Sequence, residues 1–214
     1  MSETVLVGGR RVRLDDRDLL GAGGEGRVYR WGDRAVKVYF AMTPARRRKL
    51  EAFPRGLPPR VVAPLELCTD PKGAVVGYVM RALASAVDAH RLAQRRFREG
   101  VLDANGVLAL YRDLSRTVAE LLAAGVVVGD LNDGNVALTP PAPGRAWTPW
   151  LIDADSMQFG AHLCTVAHER FLDPRLYGVD LSRTAALSRE SDWYALAVLL
   201  FSALLYVHPY GGAH

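Results

Sequence analysis

The first forty residues alternate between apolar and polar positions with the period of a β-strand, and tight-turn pairs punctuate the alternation. TVLV (4–7) is followed by Gly8-Gly9 and RRVRL (10–14), and RVYRW (27–31) by Gly32-Asp33 and RAVKVYF (34–40). This pattern predicts a run of antiparallel hairpins. Thr43-Pro44 then supplies an N-cap and a proline at the first helical position for a short basic helix, ARRRKLEAF (45–53), which the prolines between 54 and 59 close. RVVAPLELC (60–68) and AVVGYVMRAL (74–83) read as two more strands, joined by a turn over 69–73.

After Leu83 the apolar period lengthens to that of a helix: Val107, Leu110, Tyr111, Leu114, Val118, Leu121 and Leu122 form one stripe that ends at Gly125. A strand-like pair follows, NVALT (135–139) and PWLIDAD (149–155), separated by the insert PPAPGRAW (140–147). The last long segment, DWYALAVLLFSALLYV (192–207), is apolar on all sides, which places it inside a larger lobe. The expected fold class is therefore α+β. Residues 1–80 form a small antiparallel sheet with one helix and an additional N-terminal hairpin, 81–84 a hinge, and 85–214 a mainly helical part, with the site expected in the cleft between the two parts.

Composition narrows the class without naming a function. The chain has 214 residues, 50% hydrophobic and 23% charged, and its 20 Gly and 12 Pro follow no fixed period, so disordered, collagen-like and repeat architectures are excluded. Cys68 and Cys164 lie far apart, which excludes a disulfide framework or a cysteine-based zinc cluster and fits a reducing compartment. The N-terminus lacks a signal-peptide core, and the longest apolar run, from Tyr194 to Val207, is short of the roughly 18 residues a spanning helix needs, so a cytoplasmic protein without a membrane partner is expected. A net charge of +4 is too mild to argue for nucleic acid.

Between the early hairpins lies Gly21-Ala22-Gly23-Gly24-Glu25-Gly26, where missing side chains let backbone amides approach a phosphate. Phosphoryl transfer needs such a cradle, a cation for the phosphates, metal-binding oxygens and a group that orients the nucleophile, and each part occurs here in chain order. Gly21-x-Gly23-x-x-Gly26-x-Val28 is followed one hairpin later by Ala35-Val36-Lys37. Val128-Gly129-Asp130-Leu131-Asn132-Asp133-Gly134-Asn135 carries D-x-x-x-x-N, and Leu151-Ile152-Asp153 presents a carboxylate eighteen residues beyond Asn135.

With these motifs the chain resembles the eukaryotic-like bacterial Ser/Thr protein kinases, over roughly residues 15 to 207. The resemblance implies a bilobal kinase-like fold and an ATP- and Mg2+-dependent enzyme that transfers the γ-phosphate to a protein Ser or Thr hydroxyl. Asp130 would be the base or aligner, Lys37 the phosphate-pairing cation, and Asn135 and Asp153 the metal ligands. Asp155 faces the same way as Asp153 if the strand continues. Glu51 would hold Lys37, being the only acidic residue between Lys37 and Glu66; its alternative is a surface carboxylate offsetting Arg46, Arg47, Arg48 and Lys49. Gly21, Gly23, Gly24 and Gly26 would cradle the phosphates. Adenine would lie between Val28 and Ala35 on one side and Ala137 on the other, with Met80 behind it and Arg81 to Leu83 supplying backbone hydrogen bonds. Asp192, in Ser191-Asp192-Trp193, would brace the catalytic loop, or else cap its own helix.

The chain also departs from the family pattern. Gly129 replaces the arginine before the catalytic aspartate, so Ser156 and Thr165 make poor phosphate-switch positions. Asp153-Ala154-Asp155 lacks the aromatic residue and glycine of D-F-G, Asn132 stands where Ser/Thr kinases carry lysine, and Asp173-Pro174-Arg175 is the best match to A-P-E. The sequence stops soon after the segment resembling helix F, which implies a C-terminal lobe cut short, completed by a further C-terminal domain or a partner. Similar bacterial kinases carry DNA-binding helix-hairpin-helix units, so nucleic acid would enter only through such an added domain. Two other readings stay open: a small-molecule kinase of the aminoglycoside or choline type, and a nucleotide-binding pseudokinase module.

Overall fold

A computed structural model describes residues 3–141 and 146–211. The chain is α+β and divides into two compact units, Met1–Arg55 with Val62–Leu83, and Gly56–Val61 with Ala84–His214.

The first unit is one antiparallel sheet with a helix. Its strands are β1 (Glu3–Val7), β2 (Arg10–Leu14), β3 (Leu19–Ala22), β4 (Gly26–Trp31) and β5 (Arg34–Tyr39), then, after helix α1 (Pro44–Glu51), β6 (Glu66–Thr69) and β7 (Val75–Arg81). They lie in the order β2-β1-β6-β7-β5-β4-β3. The sheet curls until β2 comes against β4, and the face inside the curl carries Val5, Val7, Val12, Leu14, Val36, Val38 and Cys68 packed together. Each of these larger aliphatic side chains contributes about 1.5–3 kcal/mol on burial. The opening hairpin thus closes a core over one face of the sheet. Because side chains alternate along a strand, the neighbours of Val36 and Val38 point the other way, and Lys37 emerges on the opposite face beside Tyr39 and Tyr78.

Helix α1 starts as the sequence predicts. Thr43 accepts the Arg46 N–H at 3.2 Å, and Pro44 occupies the first turn, where its missing donor costs nothing. The segment 60–68 differs from expectation: only Glu66–Thr69 is a strand, and Val61 makes an isolated parallel bridge to Leu151 in the second unit. Pro59 and Pro64 flank this stretch, and a proline cannot donate into a ladder.

The second unit contains β8 (Val87–Asp88), the short helix α2 (Arg95–Arg98), α3 (Ala104–Ala123), β9 (Val126–Val127), β10 (Val136–Thr139), β11 (Thr148–Leu151), β12 (Gln158–Phe159) and α4 (Arg189–Leu205). Helix α3 is capped by Asp103, which accepts the Gly106 N–H at 2.7 Å, and it buries Val107, Leu110, Tyr111, Leu114, Val118 and Leu121 as its stripe requires. β10 pairs with β11 as expected and, on its other edge, with β8, which the hydropathy pattern did not reveal. In the insert 140–147, residues 142–145 lie outside the described residues. Helical character rests on α3 and α4; between them and beyond β12 the chain runs through short 3-10 turns at Glu169–Phe171 and Pro174–Leu176. Helix α4 is not buried all round: Ala197, Phe201 and Leu205, at helical spacing, are exposed among the described residues, Leu205 at 55%. No helix among the described residues is long and apolar enough to cross a membrane.

Candidate functional site

In the first unit the glycine cluster forms the turn between β3 and β4. Gly23 donates its N–H to the Gly26 carbonyl at 3.0 Å, and Phe40 donates to the Glu25 carbonyl at 2.9 Å, so β5 secures the end of the turn. Arg46 of α1 holds the Glu25 side chain at 2.6 Å. The four glycines have different reasons to be there. A Cβ on Gly26 would stand 2.3 Å from the Val38 carbonyl oxygen, so the fold itself demands glycine at that position. At Gly21, Gly23 and Gly24 a Cβ would meet nothing within 4 Å, and none of the three has a positive φ. The fold of this unit leaves open space at these three positions.

Lys37 is only 6% exposed, with its Nζ 5.3 Å from the Tyr39 ring centroid and 6.0 Å from that of Tyr78. Val28 sits opposite Lys37 in the β4–β5 ladder, and Ala35 opposite Met80 in the β5–β7 ladder, so these positions gather on adjacent strands. Ala35 and Met80 are buried, Val28 and Leu83 half-buried, and Arg81 exposed. The Glu51 carboxylate takes the Arg47 guanidinium at 2.7 Å, one turn back on the same half-exposed helix face. The four basic residues preceding Glu51 compete for it locally, and the nearest at i,i+4 spacing wins.

The second unit assembles the catalytic-loop candidates around Asp130. The loop leaves β9, which is clamped to β12, and turns at Gly129, where φ is +75°. Asn132 is the knot: its amide nitrogen donates to the Asp130 carbonyl at 3.1 Å and to Oδ1 at 3.0 Å, and its oxygen accepts the N–H groups of Gly134 and Asn135. Asn135 donates its amide nitrogen to the Asp130 carbonyl and to Oδ2, both at 2.9 Å. His168, from the segment after β12, donates its main-chain N–H to Asp130 Oδ1 at 2.8 Å. Burial raises the Asp130 carboxyl above its ordinary range, and the bonds from Asn132, His168 and Asn135 oppose that rise.

Asp192 supports this loop from below. It is 0% exposed, and its two carboxylate oxygens accept the main-chain N–H groups of Val128 and Gly129, each at 2.8 Å. The cap of α4 is Ser188, in a reciprocal capping box with Ser191, so Asp192 is released from that role. Gly129 explains the missing arginine: besides its left-handed backbone, a Cβ there would stand 2.8 Å from both Cβ and Sγ of Cys164. Cys164 and Cys68 are both buried and stand outside any disulfide, and burial pushes the Cys68 thiol up to about 12.

Asn135 and Asp153 come together through the backbone, since the Ile152 N–H donates to the Asn135 carbonyl at 3.0 Å and β10 runs beside β11. β11 ends at Leu151. Asp153 is left-handed (φ +56°) and opens a 3-10 turn over Ala154–Ser156, so the expectation that Asp155 continues the strand and shares the direction of Asp153 does not hold. Ala137, on β10, is 4% exposed. No group of three or more His, Cys, Asp or Glu side chains that could hold a metal ion forms among the described residues. Magnesium bound jointly with phosphates needs only one or two protein ligands. The Asn135 side-chain nitrogen is committed to Asp130.

The chain matches no family model and no curated protein. Two of the residues that build the site, Asn132 and His168, were not singled out by the sequence. Asn132 was visible only as a departure from a pattern. His168 acts through its backbone, which leaves no mark on residue identity.

Proposed function

We propose that the chain is an ATP- and magnesium-dependent phosphotransferase of the protein-kinase type, transferring the γ-phosphate to a Ser or Thr hydroxyl of a protein in the cytoplasm. The observation that carries this reading is the Asp130–Asn132–Asn135 knot suspended from the buried Asp192, a polar loop whose donors converge on one carboxylate. In this reading residues 1–80 are the N-lobe-like sheet and 85–214 the C-lobe-like unit. Within the first unit, three glycines with open space where a side chain would stand accompany a nearly buried lysine, and within the second the Ile152 N–H ties Asn135 to the segment that carries Asp153; each set by itself suits part of a magnesium-nucleotide.

When bound, magnesium-ATP supplies the transferable phosphoryl group and the countercharge for it. Gly21, Gly23 and Gly24 would leave room for phosphate oxygens against backbone N–H groups, Lys37 would pair with those oxygens, and Asn135 and Asp153 would hold the metal. Asp130 accepts the hydrogen bond of the acceptor hydroxyl and takes its proton as the hydroxyl oxygen bonds the γ-phosphorus and ADP leaves. Asn132, in place of the lysine usual in Ser/Thr kinases, favours one alternative acceptor, a small molecule of the aminoglycoside or choline kind.

The test is calorimetry of magnesium-ATP on the folded chain, followed by mass spectrometry of protein and small-molecule acceptors. Magnesium-dependent binding that Lys37→Ala weakens tenfold or more is expected. Absence of binding at millimolar ATP would remove the reading.

A further inference from the structure

Asp130 has two carboxylate oxygens, and together they offer about four lone-pair sites in the carboxylate plane. The donors around it are distributed unevenly. Oδ1 receives the Asn132 amide at 3.0 Å and the His168 main-chain N–H at 2.8 Å, so both of its sites are filled. Among the described residues, Oδ2 receives only the Asn135 amide at 2.9 Å. One site is left, and it lies on Oδ2. Asp130 is half-buried.

We infer that the His168 main-chain N–H is a positioning group for the phosphoryl transfer: it closes Oδ1 of Asp130 and leaves Oδ2 as the single oxygen that can receive the acceptor hydroxyl. This rests on the function proposed above. Asn132 and Asn135 lie within five residues of Asp130 and move with its loop. His168 alone comes from elsewhere, 38 residues away, and so ties the carboxylate to an independent segment. That segment is anchored on its own. The imidazole Nδ1 accepts the Arg170 N–H at 3.3 Å, which caps a 3-10 turn, and the ring meets Phe171 edge-on at 5.5 Å. Because Nδ1 serves as an acceptor, the side chain holds the turn while the backbone N–H holds Asp130. Without the N–H, Oδ1 would regain a free site. The carboxylate could then meet the hydroxyl with either oxygen and at more than one angle, and a loss of alignment of this kind lowers the rate of transfer without weakening nucleotide binding.

The backbone at His168, φ −79°, is compatible with proline, so His168→Pro deletes the donor and His168→Ala keeps it. Two measurements test the inference. The first is amide hydrogen exchange at His168 in the wild-type chain, which is independent of activity. Exchange at least tenfold slower than in Asp130→Ala is expected, and equal exchange would overturn the contact whatever the enzyme does. The second is magnesium-dependent ATP turnover, with water or a protein mixture as acceptor, for the Pro and Ala variants after confirming folding by thermal melting. The expected result is a kcat at least tenfold lower for His168→Pro than for His168→Ala, with KM for ATP within twofold between them. Equal kcat values, or a higher kcat for His168→Pro, would overturn the positioning role, the latter showing that the segment blocks Asp130. A protected His168 amide in a chain that binds no magnesium-ATP would instead overturn the proposed function, leaving the contact a structural latch.

Discussion

Asp192 of α4 and Gly129 of the candidate catalytic loop are joined by a 2.8 Å hydrogen bond from the glycine N–H to a fully buried carboxylate whose other oxygen takes the Val128 N–H. An asparagine at 192 would turn an amide NH2 toward one of these two donors. Asp192→Asn should therefore destabilise the chain by about 2–4 kcal/mol, and Asp192→Ala by at least as much, because two buried N–H groups lose their acceptors. Urea unfolding measures both.

The same carboxylate predicts a pH dependence. Burial pushes Asp192 up to about 6, against the pull of the two N–H bonds. With its folded pKa above its unfolded value, the native state binds more protons between about pH 4 and 6, so this group's contribution to stability falls as pH rises through that window and is constant above it. The stability difference between wild type and Asp192→Asn should shrink by about 2 kcal/mol from pH 4 to pH 6. A difference that grows over this range would show that the N–H bonds outweigh burial.

Gly129→Ala should cost roughly 2–4 kcal/mol, since it combines a left-handed backbone with a contact against Cys164. Cys164→Gly removes both contacting atoms and should restore part of this loss in the double mutant. The remainder reads the backbone strain. If the double mutant loses the sum of the two single effects, Cys164 is not what excludes a side chain at 129.

The glycines of the β3–β4 turn separate a ligand role from a fold role. Gly26→Ala should destabilise by roughly 3 kcal/mol through the Val38 carbonyl. Gly24→Ala should leave stability within about 0.5 kcal/mol, yet weaken magnesium-ATP binding several-fold. Thermal melts and calorimetry on the two variants check this, and unchanged ATP affinity in Gly24→Ala would reduce the cluster to a turn.

Asp130→Asn retains one acceptor oxygen for three converging donors, so it should disturb the loop as well as lower turnover, whereas Asp153→Asn should weaken magnesium-nucleotide binding and turnover together. Nucleotide affinity lowered less in Asp130→Asn than in Asp153→Asn, with turnover lowered a hundredfold or more, is the expected pattern.

The sequence by itself determined the elements whose burial pattern is local. The hairpins around Gly8-Gly9 and Gly32-Asp33, the Thr43 cap, the stripe of α3 and the β10–β11 pair all follow from side-chain period and turn chemistry, which neighbouring residues set among themselves. It also singled out Asp130, Asn135 and Asp153. Only the tertiary structure decided the partners. Whether Asp192 caps its helix or braces a loop depends on where residues 128 and 129 arrive from 63 or more positions away. Glu51 pairs with Arg47 on its own helix, and a side chain at Gly129 would meet a cysteine 35 residues later. His168 reaches Asp130 through a backbone N–H that every residue except proline carries, so no residue pattern marks it. Distances across the chain, not residue types, set these contacts, and only folding brings those distances into being.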